Sequence, residues 1–246
     1  MKFDRPQHTI IHSALQSMDA AFLERSRCYF GGGTAIVLMH QEYRLSLDVD
    51  FLCADVDGYR ELRSAITESG APAVFGSGVQ TLREFVTDQY GIRGIVSLQG
   101  QPIKFEIVRE ARIPLSGAMV ADLGVPALSI ESQFAEKLLA NADRCLDKSV
   151  ANRDAIDLGY LVQGHGSIPT LSVEVAEKAY GSAVLRAIGQ SLERLHTKEG
   201  ARHAAETLQM RESDVMGAAR SLRQAAMVTW PEADFPAANE TDGCEL

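Results

Sequence analysis

Cysteine is scarce in this chain of 246 residues, and none of its four cysteines forms a Cys-x-x-Cys pair. Cys28, Cys53, Cys145 and Cys244 are widely separated along the sequence. Zinc sites and the disulfide frameworks of small secreted domains need clustered cysteines at short, regular spacings. The sequence therefore predicts neither kind of site, and we expect reduced thiols.

Long apolar runs, a secretion signal and net positive charge are lacking as well. No stretch approaches the roughly 18 apolar residues of a membrane helix, and residues 1–6 lack the apolar segment of a signal peptide. We therefore expect a soluble, cytoplasmic protein without membrane contact. The net charge of -9 and the pI near 5.2 argue against a nucleic-acid coat protein, although a local basic cleft remains compatible with them.

Hydrophobic periodicity divides the chain into a mixed part and a helical part, which meet in a loop-rich crossing at residues 110–130. We expect an α/β (α+β) fold with a mixed sheet and flanking helices in residues 1–125, a helical domain in residues 126–233 and an acidic tail in residues 234–246. Predicted strands cover 28–30, 47–53, 79–87, 92–98 and 102–109. Predicted helices cover 8–25, 34–42, 57–69, 131–147, 152–163, 172–195, 199–210 and 212–227.

A glycine-rich turn precedes the predicted helix that starts at Thr34. Gly32 and Gly33 allow positive φ and close backbone approach, and the free N–H groups of a helix start favour an anion. After a short interval comes a predicted strand with Asp48 and Asp50, whose side chains leave the same face because they are two residues apart. The two segments together predict a triphosphate site that faces a Mg²⁺ site.

A third carboxylate lies on the predicted strand 102–109. Glu106 alternates with the apolar residues Ile103, Phe105 and Ile107, so it faces away from the core. If this strand neighbours the Asp48/Asp50 strand, the three acids form a cluster for one or two Mg²⁺ ions, as in two-metal phosphoryl transfer. The alternative is that Glu106 is an ordinary solvated residue of the sheet.

The combination Gly32-Gly33-Thr34-Ala35 with Arg44-x-Ser46-x-Asp48-x-Asp50-Phe51 resembles the AbiEii/AbiGii-type nucleotidyltransferases, a branch of the DNA polymerase β-like superfamily. The resemblance implies a nucleotidyltransferase core with Asp48, Asp50 and Glu106 as metal-binding acids. It also implies that Gly32, Gly33, Thr34, Arg44 and Ser46 bind the nucleotide. Ser46 has no visible base beside it, so we expect it to donate hydrogen bonds rather than act as a nucleophile.

The sequence pattern of this nucleotidyltransferase branch continues in the helical part, where it contains a lysine followed by Arg-Asp-x-x-Asp. Lys137 and the run Arg153-Asp154-Ala155-Ile156-Asp157 match it. Helical spacing puts Lys137 and Arg144 at the border of an apolar face, from which they can reach a triphosphate or the acceptor. Two alternatives to substrate contact remain open: Lys137 can be a surface lysine, and Arg144 can be an ion-pair partner of the next helix. Asp154 or Asp157, the latter also a candidate cofactor-binding residue, can orient these cations.

The expected reaction is Mg²⁺-dependent transfer of a nucleoside monophosphate from an NTP to an acceptor hydroxyl, with Asp48, Asp50, Glu106 and Lys137 as catalytic residues. By resemblance, the acceptor is an RNA end such as a tRNA 3′ terminus, or a protein, and an antitoxin protein is a candidate partner. A small-molecule nucleotidyltransferase of the antibiotic-modifying kind is one alternative. An inactive nucleotide-binding module is another, against which the intact acids argue.

Overall fold

The structure is a computed structural model that describes residues 2–236. These residues form two compact units. The sheet unit comprises residues 2–42 and 46–133, and the helical unit comprises residues 43–45 and 134–236. Among the described residues, no helix has the length and apolar character needed to cross a membrane.

Seven strands form one mixed sheet in the order β3-β4-β5-β2-β1-β7-β6. β2 pairs in parallel with β5, as β1 does with β7, and the other neighbours are antiparallel. The expected mixed sheet is therefore confirmed. The strands are β1 (Cys28–Gly31), β2 (Val49–Cys53), β3 (Gln80–Thr87), β4 (Gly91–Leu98), β5 (Gln101–Arg109), β6 (Gly117–Val120) and β7 (Val125–Leu128).

One face of this sheet carries the core of the sheet unit. Phe51, Phe105 and Ile107 from neighbouring strands are fully buried there, together with Leu15 and Leu62 from the helices that cover this face. Because strand residues alternate between faces, Asp50 and Glu106 are left on the opposite face. The helices of the sheet unit are α1 (Pro6–Gln16), α2 (Ala20–Arg25), α3 (Gly32–Met39) and α4 (Val56–Ser69).

The helical unit is built on the contact between two helices, α6 and α10. A Cβ atom on Gly159 would lie 2.3 Å from the carbonyl oxygen of Ala218, so glycine permits this close approach. The chain enters the unit along α5, which begins in the sheet unit. Its helices are α5 (Ile130–Arg144), α6 (Arg153–His165), α7 (Thr170–Tyr180), α8 (Ala183–Leu195), α9 (Lys198–Leu208) and α10 (Glu212–Thr229).

Two of the predicted helices are each divided in the structure. The segment 8–25 splits into α1 and α2 because the Asp19 side chain accepts a hydrogen bond from the backbone N–H of Phe22 and caps a new helix. The segment 172–195 splits into α7 and α8 at Gly181, whose φ of 57° ends a helix. Apolar periodicity continued across both breaks and concealed them.

The loop expected at residues 110–130 is wrong, and the compact sheet unit extends beyond the boundary expected after residue 125. β6 and β7 form a hairpin within this segment, and β7 extends the sheet beside β1, so the sheet unit continues to residue 133. At the start of the expected acidic tail, Phe235 is buried and Arg223 donates to the carbonyl oxygen of Pro236. The rest of that predicted tail, with Cys244, lies outside the described residues.

Candidate functional site

Four register partners form a row across neighbouring strands of the sheet unit. Gly31 on β1 pairs with Asp50 on β2, Asp50 pairs with Glu106 on β5, and Glu106 pairs with Arg93 on β4. Register partners project from the same face, and neighbouring strands lie only about 4.8 Å apart. The structure therefore brings Asp50 and Glu106 side by side, as the strand pattern predicts. Asp48 directly precedes β2 and is partly buried.

The glycine turn lies directly against Asp50. Gly32 has a φ of 67°, and a Cβ atom built on it would be 2.7 Å from Asp50 Oδ2. Only glycine combines this backbone conformation with such a close approach to a carboxylate. Helix α3 begins at Gly32, so its first backbone N–H groups and the Asp50 carboxylate belong to the same small region. This is the arrangement that the two sequence segments predict.

Thr34 and Ser46 meet beside this turn, with their hydroxyl oxygens 2.9 Å apart. The backbone N–H of Ser46 donates to His8 Nε2 at 3.4 Å, so His8 Nδ1 carries the proton and donates to Glu42 Oε1 at 2.6 Å. Burial lowers the pKa of His8 more than Glu42 raises it, which favours the neutral ring. His8 therefore braces the Ser46 backbone, a role that no sequence spacing revealed.

The three predicted metal-binding acids are not closed into one cluster in this structure. Arg93 Nε donates to Glu106 Oε1 at 2.6 Å, and Lys104 Nζ lies 3.9 Å from Glu106 Oε2. Among the described residues, no three His, Cys, Asp or Glu side chains are grouped closely enough to hold a metal ion. The donor types nevertheless fit Mg²⁺, which takes one or two protein carboxylates and completes its shell with water and substrate phosphates.

A second cluster of charges lies inside the helical unit and centres on Asp157, which is fully buried. Arg44 donates from Nε to Oδ1 at 2.7 Å and from Nη2 to Oδ2 at 2.9 Å, a bidentate pair. The Tyr43 hydroxyl donates to Oδ1 at 2.6 Å, and Lys137 Nζ lies 2.7 Å from Oδ2. Both oxygens of Asp157 are therefore engaged by side chains of the protein, and its part in cofactor binding stays a prediction.

Asp154 links the remaining cations to this cluster. Lys137 Nζ donates to Asp154 Oδ1 at 2.9 Å, and Arg144 Nε donates to Oδ2 at 2.6 Å. We call Arg44, Lys137, Arg144, Asp154 and Asp157 the buried charge network. Its three cations and two carboxylates give a formal charge of +1.

The buried charge network keeps its carboxylates ionised. Burial alone would raise the pKa of Asp157, but Arg44 and Lys137 outweigh it and lower that pKa below its ordinary value. Burial likewise opposes ionisation of Asp154, yet Lys137 and Arg144 bring its pKa well below the usual range. Burial, reinforced by Asp157, raises the pKa of the Tyr43 hydroxyl, which therefore remains a donor.

The network decides between the alternatives left open for its members. Lys137 is not a surface lysine, since its side chain is only 5% exposed and is bonded to two carboxylates. Arg144 is an ion-pair partner of the following helix, through Asp154. Arg44, expected beside the nucleotide, is instead grouped with the helical unit and buried against Asp157.

Sequence reasoning missed Arg93 and the aromatic pair of Tyr43 and Tyr160. The two tyrosine rings stack with centroids 3.6 Å apart and an interplanar angle of 11°, which fixes the segment that carries Arg44. The contact between the two tyrosines has no signal in the spacing of the residues. Arg93 could have been found from the predicted hairpin at 92–109, because its turn sets the register that places Arg93 opposite Glu106.

Comparison with known proteins gives a family. A profile described as "Nucleotidyl transferase AbiEii toxin, Type IV TA system" matches residues 13–229. A crystal structure of a nucleotidyltransferase candidate from H. pylori is 15% identical with a TM-score of 0.54, over 95% of this chain and 100% of that one. JHP933 from Helicobacter pylori is 14% identical with a TM-score of 0.54, over 94% of this chain and 96% of that one.

A search of curated proteins found no match. At such low identities the two solved structures show a shared fold alone. The family match covers both the Gly32–Asp50–Glu106 region and the buried charge network. The chain therefore belongs to the AbiEii family of nucleotidyl transferase toxins of type IV toxin–antitoxin systems.

Proposed function

We propose that this protein transfers a nucleoside monophosphate from an NTP to an acceptor hydroxyl in the cytoplasm, releases pyrophosphate and depends on Mg²⁺. The observation that carries the proposal is the register row in which Asp50 and Glu106 lie side by side, with the Gly32 turn against Asp50. A phosphate-binding backbone and paired carboxylates in one region are the two parts that phosphoryl transfer needs.

The glycine turn and the start of α3 hold the triphosphate in this proposal. The backbone N–H groups at Gly32, Gly33 and Thr34 precede the first hydrogen-bonded turn of the helix and are donors suited to phosphate oxygens. The Thr34 and Ser46 hydroxyls, already 2.9 Å apart, add side-chain donors at the same edge. Ser46 is held by the His8 contact, so it is positioned before the nucleotide arrives.

Asp48, Asp50 and Glu106 are the residues that would hold Mg²⁺. When bound there, one or two Mg²⁺ ions would neutralise charge on the transferred phosphate and lower the pKa of the acceptor hydroxyl. Glu106 must exchange its contact with Arg93 for this role. Since Arg93 is partly solvent-exposed, it can give up that contact without leaving a buried charge unpaired.

The buried charge network contains Lys137 and Arg144, the two cations that we assign to the substrates. We propose that Lys137 acts on the triphosphate and that Arg144 supports it or the acceptor. Asp154 and Asp157 orient these two side chains rather than touch the substrate, because both carboxylates are buried and bonded.

Family membership supports a toxin that has an antitoxin protein as its partner. We propose an RNA end, such as a tRNA 3′ terminus, or a protein as the acceptor. A small-molecule acceptor of the antibiotic type and an inactive nucleotide-binding module are the competing functions. The intact Asp50–Glu106 pair opposes the inactive module, because a binding protein needs no paired acids beside its phosphate turn.

An acceptor screen tests the proposal. The purified protein is incubated with each NTP labelled on its α-phosphate, with Mg²⁺ and with total RNA, total protein or aminoglycosides. We expect label on a macromolecule with wild type, none with Asp50→Asn, and full transfer with Asp57→Asn, whose side chain is 88% exposed. Label on the small molecules would establish the competing transferase. NTP binding without label on any acceptor would establish the binding module.

A further inference from the structure

A cleft of about 680 Å³ lies between helices α6, α7 and α10 of the helical unit. Val162, Ile168, Val173 and Ala225 line it, and each is only 6–8% exposed, so its walls are well-packed apolar surface. Val228 lines the cleft as well and is 81% exposed. Small-molecule sites are clefts of roughly 300–1,000 Å³ with mainly apolar walls and a few polar groups. The cleft therefore has the size and the lining of a ligand site.

The turn from α6 to α7 forms one wall of this cleft. Gly166 ends α6 with a φ of 92°, a conformation that favours glycine. Pro169 stands just before α7 with a φ of -63°, which its ring fixes. Between them, Ile168 is buried and anchors the turn to the helical unit. This wall is therefore held in place by the local sequence.

The charge of the cleft has one sign. Glu174 on α7 is the only ionisable side chain among the described residues that line it, and no lysine, arginine or histidine is one of them. Within residues 2–236, Glu174 has no ion-pair or hydrogen-bond partner, although Lys178 lies one helical turn further along α7. Gln163 Nε2 donates to Ser221 Oγ at 3.1 Å, and the amide oxygen of Gln163 has no partner within the same residues. The polar groups without partners are therefore acceptors.

We propose that this cleft binds an organic amine, with its apolar body against Val173 and Ala225 and its ammonium group on Glu174. One carboxylate suits a single positive charge, whereas a divalent metal ion needs more oxygen ligands. The absence of a basic residue from the lining argues against a phosphate, so this is not a second nucleotide site. An ammonium group has three donors, of which Glu174 takes one and the Gln163 amide oxygen can take another. All residues involved belong to the helical unit, so the proposal stands independently of the proposed function.

The test is calorimetric titration of the full chain at pH 7 with phenylbutylamine, phenylbutanol and phenylbutyrate, which share one apolar body. We expect one amine per chain, bound at least about tenfold more tightly than the alcohol, because hydrogen bonds between charged groups are the stronger ones. Phenylbutyrate should bind least, since its carboxylate would face Glu174. Added salt should weaken binding of the amine more than binding of the alcohol.

Three variants locate the ligand. Glu174→Gln should weaken binding of the amine about tenfold and leave that of the alcohol unchanged. Glu199→Gln is the matched control, because Glu199 is exposed on α9 and does not line the cleft. Val228→Lys adds a cation at a side chain too exposed to disturb the core, and it should also weaken binding of the amine.

Three outcomes would overturn the proposal. The first is that the wild-type chain does not bind the amine. The second is that the alcohol or the carboxylate binds as tightly as the amine does. The third is that Glu174→Gln loses no more affinity for the amine than Glu199→Gln does.

Discussion

Replacing Asp157 by asparagine isolates the contribution of the buried charge network. The substitution keeps the shape of the side chain but removes the charge that faces Arg44 and Lys137 at 2.7 Å each. Arg44 and Lys137 are 4% and 5% exposed, so water cannot replace the lost carboxylate. The formal charge of the network changes from +1 to +2.

Removal of one partner from a buried ion pair costs about 3–5 kcal/mol, because the remaining charge is left buried without compensation. At a urea m-value of about 2 kcal/mol/M, a loss of 4 kcal/mol lowers the unfolding midpoint by about 2 M. The control is Asp214→Asn, which breaks the Arg211–Asp214 pair at the surface, where Arg211 is 82% exposed. We expect that control to cost less than about 1 kcal/mol.

The only tryptophan gives a direct assay of the helical unit. Trp230 donates from Nε1 to Glu177 Oε1 at 2.8 Å, and both residues belong to that unit, so fluorescence reports its unfolding separately from the sheet unit. The reasoning is refuted if the midpoint of Asp157→Asn falls no further than that of Asp214→Asn at pH 7.

The same comparison has a defined pH dependence. The folded-state pKa of Asp157 is lowered, so its contribution is complete above the unfolded value near 3.9 and is lost as pH falls through the folded value. The difference between wild type and Asp157→Asn should therefore be constant from about pH 7 to 5 and shrink below about pH 4. A difference that grows on acidification would contradict the assignment.

Two further substitutions test the sheet unit. Gly32→Ala should weaken NTP binding in calorimetry and lower the thermal midpoint by more than Gly100→Ala does. A Cβ atom at residue 32 would lie 2.7 Å from Asp50, whereas Gly100, with a φ of 81°, has nothing within 4 Å of its Cβ position. Equal losses in the two variants would show that the Gly32 turn has no special role. Arg93→Ala should raise Mg²⁺ affinity up to about fivefold, because Glu106 then binds the ion without first breaking its half-exposed ion pair with Arg93, which is worth about 1 kcal/mol. A lower affinity would mean that Arg93 helps to bind the ion or its ligands.

The sequence predicted the elements of the sheet that carry strong local signals. Alternation around Glu106 and around Asp50 identified two strands, and parallel pairing of β2 with β5 placed these acids together. The hairpin β6–β7 was missed because four-residue strands rich in glycine and proline look like a loop. Its position in the sheet depends on pairing with β1, a contact distant in sequence.

The buried charge network shows where the reasoning from residues stopped. Helical spacing placed Lys137 and Arg144 on one border of α5 but gave no depth of burial. Arg44 precedes Asp157 by more than a hundred residues, and the two residues pair because residues 43–45 belong to the helical unit. The sequence around residues 43–45 has no periodic pattern that indicates this. The motif therefore suggested a nucleotide contact for Arg44, whereas the structure shows an ion pair.

Pyrophosphate release coupled to label transfer is the measurement that tests the central claim most directly. Single-turnover rates are compared for wild type, Asp50→Asn and Asp57→Asn, with the acceptor identified by the screen and with unfolding midpoints measured in parallel. The account predicts one pyrophosphate per labelled acceptor for wild type and Asp57→Asn, and a rate at least about a hundredfold lower for a folded Asp50→Asn. A rate for Asp50→Asn within about tenfold of wild type, a difference of only ~1.4 kcal/mol in the barrier, would contradict it.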